Sequence, residues 1–167
     1  MHPHLGIVSL PGQRRFVIAD IPGLLPGAAM GRGLGIQFLK HLSRTTLLLH
    51  LVDLIPFDGV DPVDSIRAIE NELMAFSEDL AAKPRWLVFN KMDCYPIDEA
   101  NALIERITQE LGYEGPVFAI SALTKQGVDQ LCEKTMQFMQ VHRQAHSEAC
   151  QADELISAYE HEEVQEA

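Results

Sequence analysis

The sequence predicts an α/β fold: a mostly parallel sheet covered by helices, preceded by an antiparallel hairpin. Three observations carry that expectation. Apolar runs of strand length alternate with amphipathic stretches of helix length from residue 46 to residue 142. One run, "TLLLHLVD", is apolar along almost its whole length, as in a strand buried on both faces. Near the N-terminus, two β-prone runs flank "PGQ", a turn signal that folds one strand back on the other.

The elements come in order. "LGIVSL" and "RRFVIAD" make residues 5–20 the hairpin. A helix near Leu34–Arg44 comes next, with Leu34, Phe38, Leu39 and Leu42 spaced to share one face. After "TLLLHLVD", Pro56, Gly59 and Pro62 mark a loop. "DPVDSIRAIENELMAFSEDL" reads as a single helix, with Asp61 as N-cap and Pro62 at its first position. Ile66, Ile69, Leu73, Phe76 and Leu80 form its apolar stripe. "RWLVFN" is then a strand, residues 97–111 a helix, "PVFAISA" a strand and residues 127–142 a helix.

Composition narrows the class. The 167 residues suffice for one domain with a core, and a hydrophobic fraction of 47% fits a globular chain. The longest apolar run, Leu47 to Ile55, is broken by His50 and Asp53 and falls short of a membrane span, so no membrane partner is expected. No secretory signal is visible at the N-terminus. Three widely spaced cysteines without a CxxC pair read as reduced thiols, which predicts a cytoplasmic location. Cys94 is expected to be a passive, buried thiol. The net charge of −11 is uneven: residues 144–167 hold seven acids and no Lys or Arg. The chain therefore divides into a body, residues 1–142, and a solvated acidic tail, residues 143–167. That balance argues against wholesale binding to a phosphate backbone. His142 and His146 share a helix face but lack a third ligand of evident spacing, and read as a solvated helix end.

In parallel sheets, ligands gather beyond the carboxyl ends of the strands. Three such ends carry chemistry. At "DIPG", Asp20 can reach a magnesium ion through water, and Gly23 can present its N–H to a phosphate without a Cβ in the way. At "NKMD", the Asp93 carboxylate can accept two parallel hydrogen bonds from the N1–H and exocyclic amino group of guanine, a donor pair that adenine lacks. The Lys91 stem can lie over the base, and the Asn90 amide can brace neighbouring loops. At "SAL", the Ala122 N–H can donate to guanine O6 while the Ser121 hydroxyl holds Asp93.

The order DIPG, NKMD, SAL resembles the third, fourth and fifth signature motifs of P-loop GTPases. "DIPGLLPGAAMGRGLGIQFLKHLSRT", "KPRWLVFNKMD" and "ISALTKQGV" resemble the Obg family, over about residues 5–140. The resemblance implies a partial P-loop GTPase (Ras-like) fold that binds GTP or GDP with Mg2+. It assigns nucleotide contacts to Asp20, Ile21, Pro22, Gly23, Asn90, Lys91, Met92, Asp93, Ser121, Ala122 and Leu123, with Asp20 linked to the metal. The glycine-rich segment from Gly23 to Gly35 would be a switch ordered by a γ-phosphate. The parent protein would hydrolyse GTP and act with the large ribosomal subunit in its assembly. Leu24 stands where many GTPases place a water-orienting Gln, so no catalytic residue is assigned.

The sequence holds no GxxxxGK[S/T] phosphate loop. The resemblance thus implies that Met1 lies inside a GTPase domain whose first strand and P-loop are missing. With a family strand order resembling 2-3-1-4-5-6, "RRFVIAD" and "TLLLHLVD" lose their common neighbour. Dry, unpaired backbone groups cost about 1–3 kcal/mol each, against about 5–15 kcal/mol for a whole domain. The chain is therefore expected to close the gap by rearrangement or self-association, or to be poorly stable. Nucleotide binding by the chain itself is expected to be weak, without appreciable turnover. The alternative expectation is a degenerate, non-enzymatic GTPase-like interaction module.

Overall fold

The hairpin forms where the turn signal places it. The structure, a computed structural model, describes residues 4–20, 42 and 44–145. Strands β1 (His4–Leu10) and β2 (Arg14–Asp20) pair antiparallel with Leu10 opposite Arg14. The reversal at Gly12 and Gln13 uses positive φ at both residues, 79° and 59°. Phe16 is buried on the inner face, whereas Leu5, Ile7 and Val17 on the other face are exposed. Arg14 grips Glu133 with both prongs of its guanidinium, at 2.6 and 3.0 Å, and so fastens the hairpin to the last described helix.

The rest of the chain alternates as expected. Strand β3 (Leu48–Asp53) leads to helix α1 (Pro62–Phe76) and the short α2 (Glu78–Ala81). Strand β4 (Arg85–Asn90), helix α3 (Ile97–Leu111), strand β5 (Val117–Ala119) and helix α4 (residues 128–145) complete it. The strands run parallel in the order β3-β4-β5, with Leu48 opposite Arg85 and Leu87 opposite Val117. Central β4 is buried on both faces. Leu87 and Phe89 pack with Val63 and Ile66 of α1 and with Ala100 and Ile107 of α3. Trp86 and Val88 face the opposite way, towards Ile120, Leu131 and Phe138 on the α4 side. This is the expected α/β architecture, a parallel sheet accompanied by an antiparallel hairpin.

Three expectations are corrected. The single helix from Asp61 to Leu80 is broken at Ser77, which is extended (φ −167°, ψ 133°). Its N–H closes α1 on Leu73 O at 3.1 Å, and its hydroxyl accepts the Leu80 N–H at 3.4 Å to start α2. A serine that can satisfy backbone groups locally competes with the helix. The stripe survives the break, because Leu73 and Leu80 meet again at Leu48. The strand "PVFAISA" contracts to Val117–Ala119, because the chain turns away at Ser121. Finally, β3 is not buried on both faces: Leu51 is 58% exposed. Among the described residues β3 pairs with β4 alone, and its other edge faces β2 across a groove of about 1050 Å³. Among the described residues no strand lies in that groove.

Residues 34–41 and 43 of the helix expected near Leu34–Arg44, the glycine-rich segment with Ile21, Pro22, Gly23 and Leu24, His146, and the acidic tail from residue 146 lie outside the described residues; Leu42 is helical. Among those described, no helix is long and apolar enough to cross a membrane.

Candidate functional site

Parallel pairing puts the carboxyl ends of β3, β4 and β5 side by side, and Asn90 ties them together. As the last residue of β4, it donates from Nδ2 to Asp53 Oδ1 at 3.4 Å, at the end of β3. Its Oδ1 accepts the Ala122 N–H at 3.0 Å, from the loop after β5. Backbone bonds reinforce the join: Leu54 N–H to Asn90 O (3.1 Å) and Met92 N–H to Ile120 O (3.1 Å). The sequence motifs "NKMD" and "SAL" are thus held as one surface.

The loop after β4 turns sharply. Lys91 sits in the left-handed region (φ 68°, ψ 33°), a conformation that costs a non-glycine residue about 1–2 kcal/mol. Such strain points to a functional constraint. The turn buries Met92 in the core and leaves Asp93 facing solvent. Among the described residues, the recorded partner of the Asp93 carboxylate is the Cys94 thiol at 4.0 Å, a weak contact. Asp93 therefore keeps acceptor capacity that the fold does not use. Cys94 is exposed, against the expectation of a buried thiol, because the turn carries it outwards beside Asp93.

The loop after β5 is built around Ser121 and Gly127. Ser121 is fully buried, its N–H donates to Gln126 O at 3.0 Å, and its hydroxyl accepts the Thr124 N–H at 3.0 Å. Its hydroxyl therefore shapes its own turn; the bond to Asp93 expected from the sequence is not the one made. Gly127 has φ +74°, and a Cβ there would lie 2.5 Å from Ala119 O. Ala122 and Leu123 are exposed beside Asn90.

Lys91 reaches back across β3. Its Nζ lies 2.9 Å from Asp53 Oδ2 and donates to Ile55 O at 3.0 Å. Asp53, which sequence reasoning treated only as an interruption of an apolar run, is thereby the partner of both Asn90 and Lys91. Its signal was its place, the carboxyl end of a parallel strand. Asp20 is exposed at the end of β2 and lines the same groove as Asp53. Met92 and Leu123 contribute backbone position and no polar side chain.

The donor set suits a guanine nucleotide. A free carboxylate stands beside a backbone N–H and a lysine stem, on a frame whose own polar groups are satisfied. Among the described residues no cluster of three His, Cys, Asp or Glu side chains offers a metal site of its own. Mg2+ commonly takes one or two carboxylates and completes its shell with waters and phosphate oxygens. Asp20 fits such a role, whereas Asp53 is engaged by Lys91.

The profile that describes 50S ribosome-binding GTPases matches residues 1–91, a span that takes in Asp20 and Asn90 and ends at Lys91. Among solved structures, the chain is similar to a variant of Aquifex aeolicus Era bound to GDP·AlF4−, with a TM-score of 0.59 and 22% identity. That likeness covers 81% of this chain and 44% of Era, so the chain spans less than half the length of that relative. It is also similar to a protein described as nucleolar GTP-binding protein 1 from Plasmodium falciparum, with a TM-score of 0.56 and 23% identity over 92% of this chain and 78% of the other. At such identities these are likenesses of fold.

Proposed function

The chain belongs to the family of 50S ribosome-binding GTPases, and from that premise we propose that it is the guanine-recognising portion of an Obg-like GTPase. The observation that carries the reading is the exposed, uncommitted Asp93 carboxylate on a surface that Asn90 braces from both sides. Asp93 accepts the N1–H and amino group of guanine. The Ala122 N–H, on the neighbouring loop, serves O6. The Lys91 stem covers the base, with its ammonium anchored on Asp53. Asp20 is the carboxylate for Mg2+, which when bound neutralises phosphate charge during GTP hydrolysis. Ile21, Pro22 and Gly23 complete the phosphate side. The parent protein hydrolyses GTP in the cytoplasm and acts on the large ribosomal subunit during assembly.

This chain alone reads the base and does not turn over GTP, since its sequence lacks the GxxxxGK[S/T] loop on which triphosphate affinity depends. A second reading, a non-enzymatic interaction module, is favoured by the open groove beside β3. Titration with fluorescent GDP and ADP, with and without Mg2+, tests the proposal together with a phosphate-release assay. Weak, guanine-preferring binding without turnover is expected. Tight Mg2+-dependent GTP binding with turnover would overturn the division of labour, and equal affinity for ADP would overturn the base assignment.

A further inference from the structure

The loop between β3 and α1 is held at both ends and carries a phenylalanine in water at its tip. At its start, Leu54 is buried and its N–H donates to Asn90 O at 3.1 Å, while Lys91 Nζ donates to Ile55 O at 3.0 Å. In the middle, the Gly59 N–H donates to Pro56 O at 3.3 Å and closes a turn around Phe57 and Asp58. Gly59 takes the left-handed φ of +70° there, and Asp58 Oδ1 accepts the Val60 N–H at 3.2 Å. At its end, Asp61 caps α1, and Pro62 and Val63 are buried. The loop is tied down along its length.

Phe57 is left fully exposed, with Ile55 and Val60 exposed on either side of it. A ring held in water contributes no burial to the fold. Rigid presentation of an aromatic on a loop is how interfaces place their anchors, because little ordering remains to be done on binding. The charge around the ring is of one sign. Residues 53–64 hold Asp53, Asp58, Asp61 and Asp64 and no Lys or Arg. Asp53 is paired with Lys91, and Asp61 with Arg106. Asp58, at the tip, and Asp64, in the first turn of α1, make no ion pair among the described residues.

We propose that Phe57 anchors a docking surface for a basic protein, which takes the ring into an apolar pocket and meets Asp58 and Asp64 with Lys or Arg. Charge complementarity selects that partner. The same acids repel the phosphates of RNA. They also repel the tail of this chain, which has seven acids and no Lys or Arg in residues 144–167. A two-fold contact between copies through this loop would set the acids of one against those of the other. That the basic protein belongs to the large ribosomal subunit rests on the function proposed above. The anchor rests on the loop alone and does not depend on guanine recognition.

The test measures binding of the full-length chain to purified 50S subunits by biolayer interferometry, and repeats it with a benzophenone photo-crosslinker in place of the Phe57 ring. Phe57→Ser should bind about tenfold more weakly than wild type, or worse. The double variant Asp58→Asn, Asp64→Asn should lose about fivefold, with a shallower salt dependence. Phe57→Ser should melt at the wild-type temperature, since the ring lies outside the core, so its weaker binding is not a folding defect. The crosslink should form to a ribosomal protein. Equal binding by wild type and Phe57→Ser would refute the proposal and leave the ribosomal reading standing. A crosslink to ribosomal RNA would make the ring a stacking platform and overturn the protein assignment. A dimer lost in Phe57→Ser would give the loop to a second copy and equally overturn it. No binding of wild type to 50S subunits would refute the ribosomal reading and this partner together.

Discussion

Replacing Gly127 with alanine separates two costs that usually arrive together, because Gly112 supplies the control. Both glycines are left-handed, with φ +74° and +62°. At Gly112, the C-cap of α3, an added Cβ meets nothing within 4 Å. Gly112→Ala therefore carries only the backbone cost, about 1–2 kcal/mol. At Gly127 the same Cβ lies 2.5 Å from Ala119 O and 3.3 Å from Ile120 Cγ2. Restoring ordinary contact, near 3.4 Å, requires the end of β5 to move by about 0.9 Å. Overpacking of that kind adds about 1–3 kcal/mol. It also pulls on the Ser121–Gln126 and Ala122–Asn90 bonds, so the site loosens with the strand. Gly127→Ala should thus lose about 2–5 kcal/mol of unfolding free energy, clearly more than Gly112→Ala. Urea unfolding read by the single tryptophan is the assay, since Trp86 stacks on Phe118 of β5 with ring centroids 5.2 Å apart. Equal losses in the two variants, or a Gly127→Ala loss below about 0.5 kcal/mol, would refute the reasoning.

Burial, with the Arg85 guanidinium adding to it against an opposing Glu70, holds the His50 pKa down at about 4. Folding then favours neutral imidazole: stability is complete above the unfolded value near 6.5 and falls as pH drops from there towards 4, by about 3 kcal/mol in all. The difference in unfolding free energy between wild type and His50→Gln, measured across that window, should show the slope, and parallel profiles would contradict it. Asn90→Ala removes the bonds to Asp53 and Ala122 and should cost about 1–2 kcal/mol, with the largest NMR shift at the Ala122 amide. A silent Ala122 amide would mean that Asn90 does not brace the loops.

The sequence made the site's address legible because the signals there are local. Parallel strands end at the close of "RWLVFN" and of "VFA", and the loops that leave those ends share one side of the sheet. The cap at Asp61 was equally plain, since an aspartate before a proline and an apolar stripe needs no distant partner; its carboxylate accepts the Val63 N–H at 2.8 Å. What escaped depends on contacts between segments. Ser77 looks like any polar residue on a helix until its bonds to Leu73 and Leu80 are seen. Asp53 becomes part of the site only because Asn90 and Lys91 reach it across 37 and 38 residues of chain. Ser121 is expected to hold Asp93, whereas its hydroxyl accepts the Thr124 N–H within its own turn. The exposure of Leu51 likewise depends on strand pairing, since among the described residues β3 pairs with β4 alone, and hydrophobic patterning along one segment does not register that.

That Asp93 reads guanine is tested most directly by NMR titration of the chain and its Asp93→Ala variant with millimolar GDP and ADP. In the wild-type chain, GDP should shift the Lys91, Asp93 and Ala122 amides more strongly than ADP does. The variant should lose that preference, by roughly ten- to hundredfold, the worth of paired hydrogen bonds to a charged group. Equal responses to GDP and ADP, or undiminished GDP binding without the carboxylate, would contradict the account.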